Sequence, residues 1–516
     1  MTLGDLLIDK AARHGGSVFA EIAGTPVSYV ELEQRSRAVA ANLLARGLRG
    51  GDRVASFMAN APEQLYCFFG CARAGLVWVP INAGLSGDDL AYTLRDSGAR
   101  MIVADADGAS EFERIRRPSL SALELFTTSP VDGVSSTSFS ELLAGERLSH
   151  ALPETTPTDP GAILYTGGTT GLPKGVVLPQ LSFILAGVRY GESFSVRQGE
   201  RHYSTMPLFH AGCLQWGLMG PLVNDMSTVI DRRFSASGYL ARLRDTRADV
   251  IDAFGVMITM LCAQPVSPDD RNHSVRLSVG AVHGLPPEIP REFTRRFGIP
   301  LLMLYGLTEG GGAMLTTNRD FDGESNGRPH GWVEIRIADS LGFPLPAGEV
   351  GDVLLRATWP HMFMTGYFND SAKTLATYRD CWLHTGDLGK VDSEGNFWFV
   401  GRGSHRLRRR GENISALEVE MILAKCPGVR EAAVIGVPSE LGEDEVKAFI
   451  VPAPGHLLDP AAIVAWSAGR MASFKIPRFV EFLEELPRST AKMEIDRGAL
   501  RKRPNDAAWD SRKDRR

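Results

Sequence analysis

Tyr165-Thr-Gly-Gly-Thr-Thr-Gly-Leu-Pro-Lys174-Gly175 follows directly on the apolar run Ala162 to Tyr165, and that junction decides how the chain is read. The apolar run has the make-up of a buried strand. In the loop, glycines let backbone N–H groups approach a polyphosphate, threonine hydroxyls add donors, and Lys174 supplies compensating charge. The run is not a Walker loop, because no Gly-Lys-Ser/Thr follows four residues after a glycine, and it carries no Rossmann fingerprint. The alternative is a solvated turn between strands. Three threonines, three glycines and Pro-Lys-Gly in one stretch argue against it.

Around this loop, strands alternate with helices. Ser28 and Glu31 predict a capping box that opens the first clear helix, with Leu32, Val39 and Leu43 on its apolar face and Gly47 at its end. GDRVASFM then reads as a strand, Leu65 to Ala74 as a helix and LVWVPIN as a strand. The same alternation recurs from Gly161 to Ile230 and from Val250 to Tyr305, which predicts an α/β fold with largely parallel sheets. Gly133 to Pro160 reads as a connecting stretch, and Glu334 to Val400 as a smaller β-rich unit. GRGSHRLRRRGEN, residues 401–413, is the expected hinge. Beyond it, a helix (Ala416 to Lys425), two strands (Ala432 to Val437, Val446 to Val451) and a helix (Pro460 to Met471) predict a compact α+β unit. The expected division is a large domain over 1–402, a mobile C-terminal domain over 403–503 and a polar tail over 504–516 that frays.

A length of 516 residues favours more than one domain. A net charge of −5 gives no electrostatic reason to expect nucleic acid as a partner. Cys67 and Cys71, inside the apolar CFFGC, read as buried thiols, and no His or Cys cluster has zinc-ligand spacing. The N-terminus lacks the apolar core of a signal peptide. The longest apolar stretch, Ala253 to Ala263, is too short to span a bilayer and reads as a buried helix, so no transmembrane segment is expected. A cytoplasmic enzyme, monomer or homodimer, fits these features.

Four further motifs carry chemistry: Met206-Pro-Leu-Phe-His210, Tyr305-Gly-Leu-Thr-Glu309, His384-Thr-Gly-Asp387 followed by Gly401-Arg402, and Leu486-Pro-Arg-Ser-Thr-Ala-Lys492. Taken singly, each has an ordinary explanation: a core histidine, a capping carboxylate, a turn aspartate, a solvated lysine. Together with the loop they resemble the acyl-adenylate-forming superfamily, which includes acyl-CoA synthetases, peptide-synthetase adenylation domains and luciferases. The resemblance runs from VSYVELEQRSRAVAANLLARGLRGGDRVA to the C-terminal unit, with the motifs in family order. Among its branches the chain is most similar to medium-sized acyl-CoA synthetases and carboxylic acid–CoA ligases, including those for carnitine-like and fatty acids.

The resemblance implies residue roles. Thr166, Gly167, Gly168, Thr169, Thr170 and Lys174 would cradle the ATP phosphates, Thr166 and Lys174 acting catalytically. Met303, Leu304, Tyr305 and Gly306 would line the adenine pocket, with Val282, His283 and Gly284 covering its other side. Thr308 would touch the α-phosphate, and Glu309 would hold Mg2+, a hard cation suited to carboxylate oxygen. Asp387 would accept the ribose hydroxyls and Arg402 would also contact the ribose. Lys492 would enter the site during adenylation and offset charge in the transition state; Ala491 stands where the family has glycine. His210 is either a wall of the acyl pocket or a satisfied core histidine. Gly306, Gly310 and Gly311, with Gly312, leave room beside the carboxyl site. Some short-acid members place a tryptophan where Gly306 lies, so an acid larger than acetate is favoured.

The implied activity is that of an ATP-dependent, AMP-forming ligase that passes the acyl group to coenzyme A. The hinge departs from the pattern, with Ser404-His405 after Arg402 and with Arg408-Arg409-Arg410 before Gly411. Arg409, Arg410 and Gly411 would meet coenzyme A, or they reflect another acceptor, a carrier-protein thiol or an amine. A nitrite-activating ligase and a non-catalytic nucleotide-binding relative are the other readings. Thr169, Lys174, Glu309, Asp387, Arg402 and Lys492 together argue against the last.

Overall fold

The structure is a computed structural model that describes residues 1–512 other than 117, 145–150, 169–170, 282–287, 312–315, 319–324, 330, 403–405, 410–411, 439–443, 469, 472–474 and 489–494. Among the described residues, two large sheets carry the N-terminal part. One has eight strands in the order Gly366–Tyr367, Gly171–Pro179, Pro160–Gly168, Val77–Ile81, Arg53–Phe57, Met101–Ala104, Glu124–Thr127 and Thr137–Ser138. Its middle is parallel because Arg53–Phe57 and Val77–Ile81 are joined by the helix Pro62–Arg73, a right-length crossover with Pro62 in its first turn. The strand Val77–Ile81 is buried along its whole length, as expected of a strand covered on both faces.

The second sheet has nine strands, with Leu301–Tyr305, Leu277–Ala281, Val250–Phe254 and Arg201–Ser204 adjacent and parallel. The α/β class and the alternation are as expected. Four local readings are corrected. A helix Leu3–His14 precedes the one expected first; Thr2 and Asp5 build its capping box. Ser28 does cap Tyr29–Ala45 by accepting from the Glu31 N–H, but the Glu31 carboxylate accepts from the Tyr66 hydroxyl at 3.3 Å. The stretch from Gly161 opens with an antiparallel hairpin, Pro160–Gly168 against Gly171–Pro179, rather than a βαβ unit. The apolar run Ala253 to Ala263 divides between the end of Val250–Phe254 and the helix Gly255–Cys262.

A smaller sheet follows, built from Val333–Ala338, Gly351–Ala357, Trp382–Val391, Tyr378–Arg379 and Phe397–Arg402. The C-terminal sheet contains Val429–Pro438, Asp444–Pro452, Phe479–Phe482 and Trp509–Asp510. The segment after Leu500 therefore does not fray as expected: Trp509–Asp510 pairs with Phe479–Phe482, Arg478 holds the Asp510 carboxylate at 3.0 Å, and the Lys447 ammonium donates to the Pro504 carbonyl at 3.0 Å. Among the described residues, apolar clusters on the two sides of residues 400–406 do not mix. Among the described residues, those of the larger part end at Phe399, and those of the C-terminal part begin at Leu407. No helix among them is long and apolar enough to cross a membrane.

Candidate active site

The hairpin places Thr166 directly opposite Lys174, with Gly167 and Gly168 ending one strand and Gly171 beginning the other. Thr169 and Thr170 lie outside the described residues. Gly175 is required by close approach: a Cβ there would lie 2.6 Å from the Ile163 side chain and 3.3 Å from Phe368. That closeness lets the Phe368 N–H donate to the Gly175 carbonyl at 2.7 Å and sets the edge strand Gly366–Tyr367 beside Lys174. The Lys174 ammonium consequently sits over the Tyr367 ring, 5.6 Å from its centroid.

Tyr367 links this side to the Tyr305–Glu309 turn. Its hydroxyl donates to Glu309 Oε1 at 3.0 Å, and the Met364 N–H donates to the Glu309 carbonyl at 2.9 Å. Burial, then the Glu309 charge, push the Tyr367 hydroxyl well above the ordinary tyrosine range, so it stays a donor. Lys174 is held below the usual lysine range by burial and next by the like charge of Lys373, while Glu309 and Asp370 act in the opposite sense. Lys373 is fixed by the short helix Ser371–Thr377, whose cap Asp370 accepts the Lys373 N–H at 2.8 Å. Two cations, one carboxylate and one phenol thus share a small volume.

Four residues before Glu309, Tyr305 turns to the other side. Its hydroxyl donates to Asp387 Oδ2 at 2.6 Å, both residues are buried, and its ring stacks near Phe399 and Phe397. Asp387 follows the left-handed Gly386, its N–H donates to Thr385 Oγ1 at 3.0 Å, and it lies directly across the ladder from Arg402. The two residues expected at the ribose are therefore neighbours in space although separated in sequence. Thr308 begins the tight turn between Tyr305 and Gly311. Gly306 is exposed, whereas Gly310 and Gly311 are buried. Gly311 has φ +75°, and a Cβ on it would come within 2.4 Å of the Met362 carbonyl, so no larger residue fits. Met303 and Leu304 are buried in the cores on opposite faces of their sheet, which leaves Tyr305 as the side chain of that strand reaching the site. Val282, His283 and Gly284 lie outside the described residues.

His210 is half-buried, and its Nδ1 accepts the Gly212 N–H at 3.1 Å, which orients the ring at the start of the π-helical segment Cys213–Met219. Lys492, Arg410 and Gly411 lie outside the described residues; Arg488 and Ile495, flanking Lys492, bridge each other. Arg409, expected to meet coenzyme A phosphates, is instead buried: it holds Glu445 at 2.7 Å and the Ile476 carbonyl at 2.8 Å. Its place on the inward face of the Arg406–Arg409 strand commits it to its own domain.

Two families account for the chain. AMP-binding enzymes match residues 7–368, and the AMP-binding enzyme C-terminal domain matches residues 418–492. The chain belongs to the AMP-binding enzyme family. The crotonobetaine/carnitine–CoA ligase of Escherichia coli O8 (strain IAI1) is 32% identical over 490 residues, covering 92% of this chain and 94% of that protein. Among solved structures, ATP-bound MatB from Rhodopseudomonas palustris aligns with a TM-score of 0.86 at 28% identity, covering 97% of this chain and 99% of that one. A benzoate CoA ligase from Burkholderia xenovorans LB400 aligns with a TM-score of 0.85 at 26% identity, covering 97% and 100%.

Within this AMP-binding enzyme, sequence reasoning missed Tyr367 and Lys373. Tyr367 had one available signal, an aromatic set by Gly366 on an edge strand. Lys373 had none, because it stands in an ordinary polar helix start and meets Lys174 only through the fold.

Proposed function

We propose that this chain is an AMP-forming acid–CoA ligase. It activates a carboxylic acid as its acyl-adenylate and transfers the acyl group to coenzyme A. One observation carries the nucleotide part of the reading. The five-residue turn Tyr305–Glu309 has a carboxylate for sugar hydroxyls at one end, through Tyr305 and Asp387, and a cationic pocket at the other, through Glu309, Tyr367, Lys174 and Lys373. That polarity is the polarity of a nucleoside triphosphate.

In the first half-reaction, a carboxylate oxygen forms a bond to the α-phosphorus and the bond to pyrophosphate breaks. Positioning and charge neutralisation dominate such a step. Lys174 and Lys373 face the leaving pyrophosphate, Thr166 lies across from Lys174, and Thr308 lies between the ribose and phosphate ends. Among the described residues no cluster of three or more His, Cys, Asp or Glu stands ready for a metal. A magnesium ion here would take Glu309 and otherwise phosphate and water oxygens, its usual surroundings, and would supply charge neutralisation at the phosphates. In the second half-reaction the thiol sulfur attacks the acyl carbon and AMP leaves. The separate apolar clusters on either side of residues 400–406 support a C-terminal unit, residues 403–503, that swings to withdraw Lys492 and admit the thiol. A cytoplasmic setting belongs to this reading.

The test is acid-dependent exchange of pyrophosphate into ATP over a panel of acids, followed by AMP release with and without coenzyme A. Exchange plus coenzyme A-dependent turnover is expected. No exchange with any acid refutes the ligase; exchange without that turnover transfers the second step to another thiol or amine.

A further inference from the structure

Arg189, on the helix Gln180–Phe194, is completely buried, and none of its three guanidinium nitrogens has a hydrogen-bond partner. Two other buried arginines, Arg296 and Arg73, are paired. Arg296 takes the Asp270 carboxylate at 2.7 Å and the carbonyls of Cys262, Gln264 and Pro265, and Arg73 takes Glu33 and Ser36. The charge acting on Arg189 is that of Glu192, which is exposed. Burial pulls the guanidinium down to about 9, which still leaves it protonated at neutral pH. A buried cation with no hydrogen-bonded counter-charge among the described residues is costly and calls for an anion.

The position of Arg189 says where that anion comes from. At 100° per residue it points within about 20° of Ser182 and lies about 10 Å further along the axis. Ser182 Oγ donates to the Met362 carbonyl at 2.7 Å and would be met at 2.9 Å by a Cβ on Gly311. This face of the helix therefore starts at the turn beside the reacting carboxyl. The opposite face is filled: Gly187 packs on Met219 and Val223, and Gly191 on Asn224. The π-helical segment packed on that opposite face begins three residues after His210.

We propose that Arg189 is the anion receptor at the far end of the acyl pocket, so that the acid activated by this chain carries a second carboxylate remote from the one that is adenylated. The inference rests on the acid–CoA ligase reading above. A guanidinium matches a carboxylate in a two-bond fork. A site built around such a bond rejects an analogue that leaves the arginine unpaired, whereas an apolar pocket discriminates weakly.

Pyrophosphate exchange with the full-length chain tests this, using straight-chain monocarboxylic acids and the ω-dicarboxylic acids of matched carbon number. Wild type is expected to favour the best-fitting diacid over its monoacid by at least about tenfold in kcat/KM. Arg189→Met should invert that preference while leaving ATP binding unchanged, and Arg189→Lys should keep part of it. A thermal midpoint of Arg189→Met equal to or above wild type is also expected, because an unpaired buried charge has been removed. Monoacids equal to diacids in wild type, or a ratio unchanged in Arg189→Met, overturns this inference and leaves the ligase standing. Exchange with no acid at all overturns the ligase itself, and this proposal with it.

Discussion

Replacing Tyr367 by phenylalanine removes one oxygen and nothing else from the centre of the site. The ring under the Lys174 ammonium is kept, at 5.6 Å, while the 3.0 Å bond from the hydroxyl to Glu309 Oε1 is lost. A hydrogen bond to a charged group is worth about 1.5–3 kcal/mol. Both residues are only half-buried, so the lower half applies, about 1.5–2 kcal/mol. At about 1.4 kcal/mol per decade that is roughly 10- to 30-fold, within the 10- to 100-fold range typical of groups that orient a metal ligand. Glu309 is the carboxylate expected at magnesium, so the loss should appear in magnesium dependence. In pyrophosphate exchange at fixed ATP, the half-saturating free Mg2+ should rise roughly tenfold, with velocity largely restored at saturating Mg2+. The shift should be the same at neutral and moderately alkaline pH, because burial and Glu309 keep the hydroxyl protonated there. An equal fractional loss at every Mg2+ concentration, or none, would refute the reasoning that Tyr367 acts by orienting Glu309.

Lys373→Met should raise the KM for ATP about tenfold, the lower end for a charged hydrogen bond, while Lys373→Arg should stay near wild type. The same Met variant relieves Lys174 of a like charge, so the alkaline fall of ATP binding should move to higher pH; a movement to lower pH contradicts the pairing. Lys492→Ala should abolish pyrophosphate exchange yet largely spare thioester formation from preformed acyl-adenylate, and equal loss of both halves would count against a two-conformation cycle. Asp225 ties the helix Leu3–His14 to the body through Lys10, Arg13 and His14. Burial alone would raise its carboxyl, but those partners bring it from 3.8 to about 2. A depressed carboxyl contributes stability above its unfolded value and loses it as pH falls through the folded one. Asp225→Asn should therefore cost about 2 kcal/mol in denaturant unfolding near neutral pH and progressively less between pH 4 and pH 2.

What the sequence made legible was local. The strand ending at Tyr165, the glycine loop and the crossover helix announced an α/β fold through periodicity and turn chemistry. The motif around Tyr305 and that around Asp387 were each visible, but their contact was not: a 2.6 Å bond between residues 82 positions apart depends on how two sheets meet. Lys373 is invisible for the same reason. The hairpin was misread as a parallel unit because a glycine-rich loop after an apolar strand has the same signature whether a helix or a second strand follows. The tail was misread because Trp509 and Asp510 look solvated until Phe479–Phe482 presents an open strand edge to them.

Arg409 shows how a residue inside a run of arginines is drawn to a carboxylate of its own sheet. Three consecutive arginines suggest a phosphate site, yet an antiparallel ribbon turns alternate residues to opposite faces, and Arg406–Arg409 pairs with Glu412–Ser415 in that way. Arg409 falls on the inner face, where Glu445 is shared with Arg478 and Arg512; the buried Lys447 and Glu481 form a second set with the more exposed Arg503. Such networks are worth little as stability against an apolar core, but breaking one partner is expensive. They tie the strands of the C-terminal sheet to one another and to the Arg406–Arg409 ribbon. Among the described residues, no apolar cluster joins that unit to the larger part across the stretch between Phe399 and Leu407. For the swing of the C-terminal unit proposed above, an ion-paired interior and an apolar core separate from that of the larger part are what let it move without unpacking either.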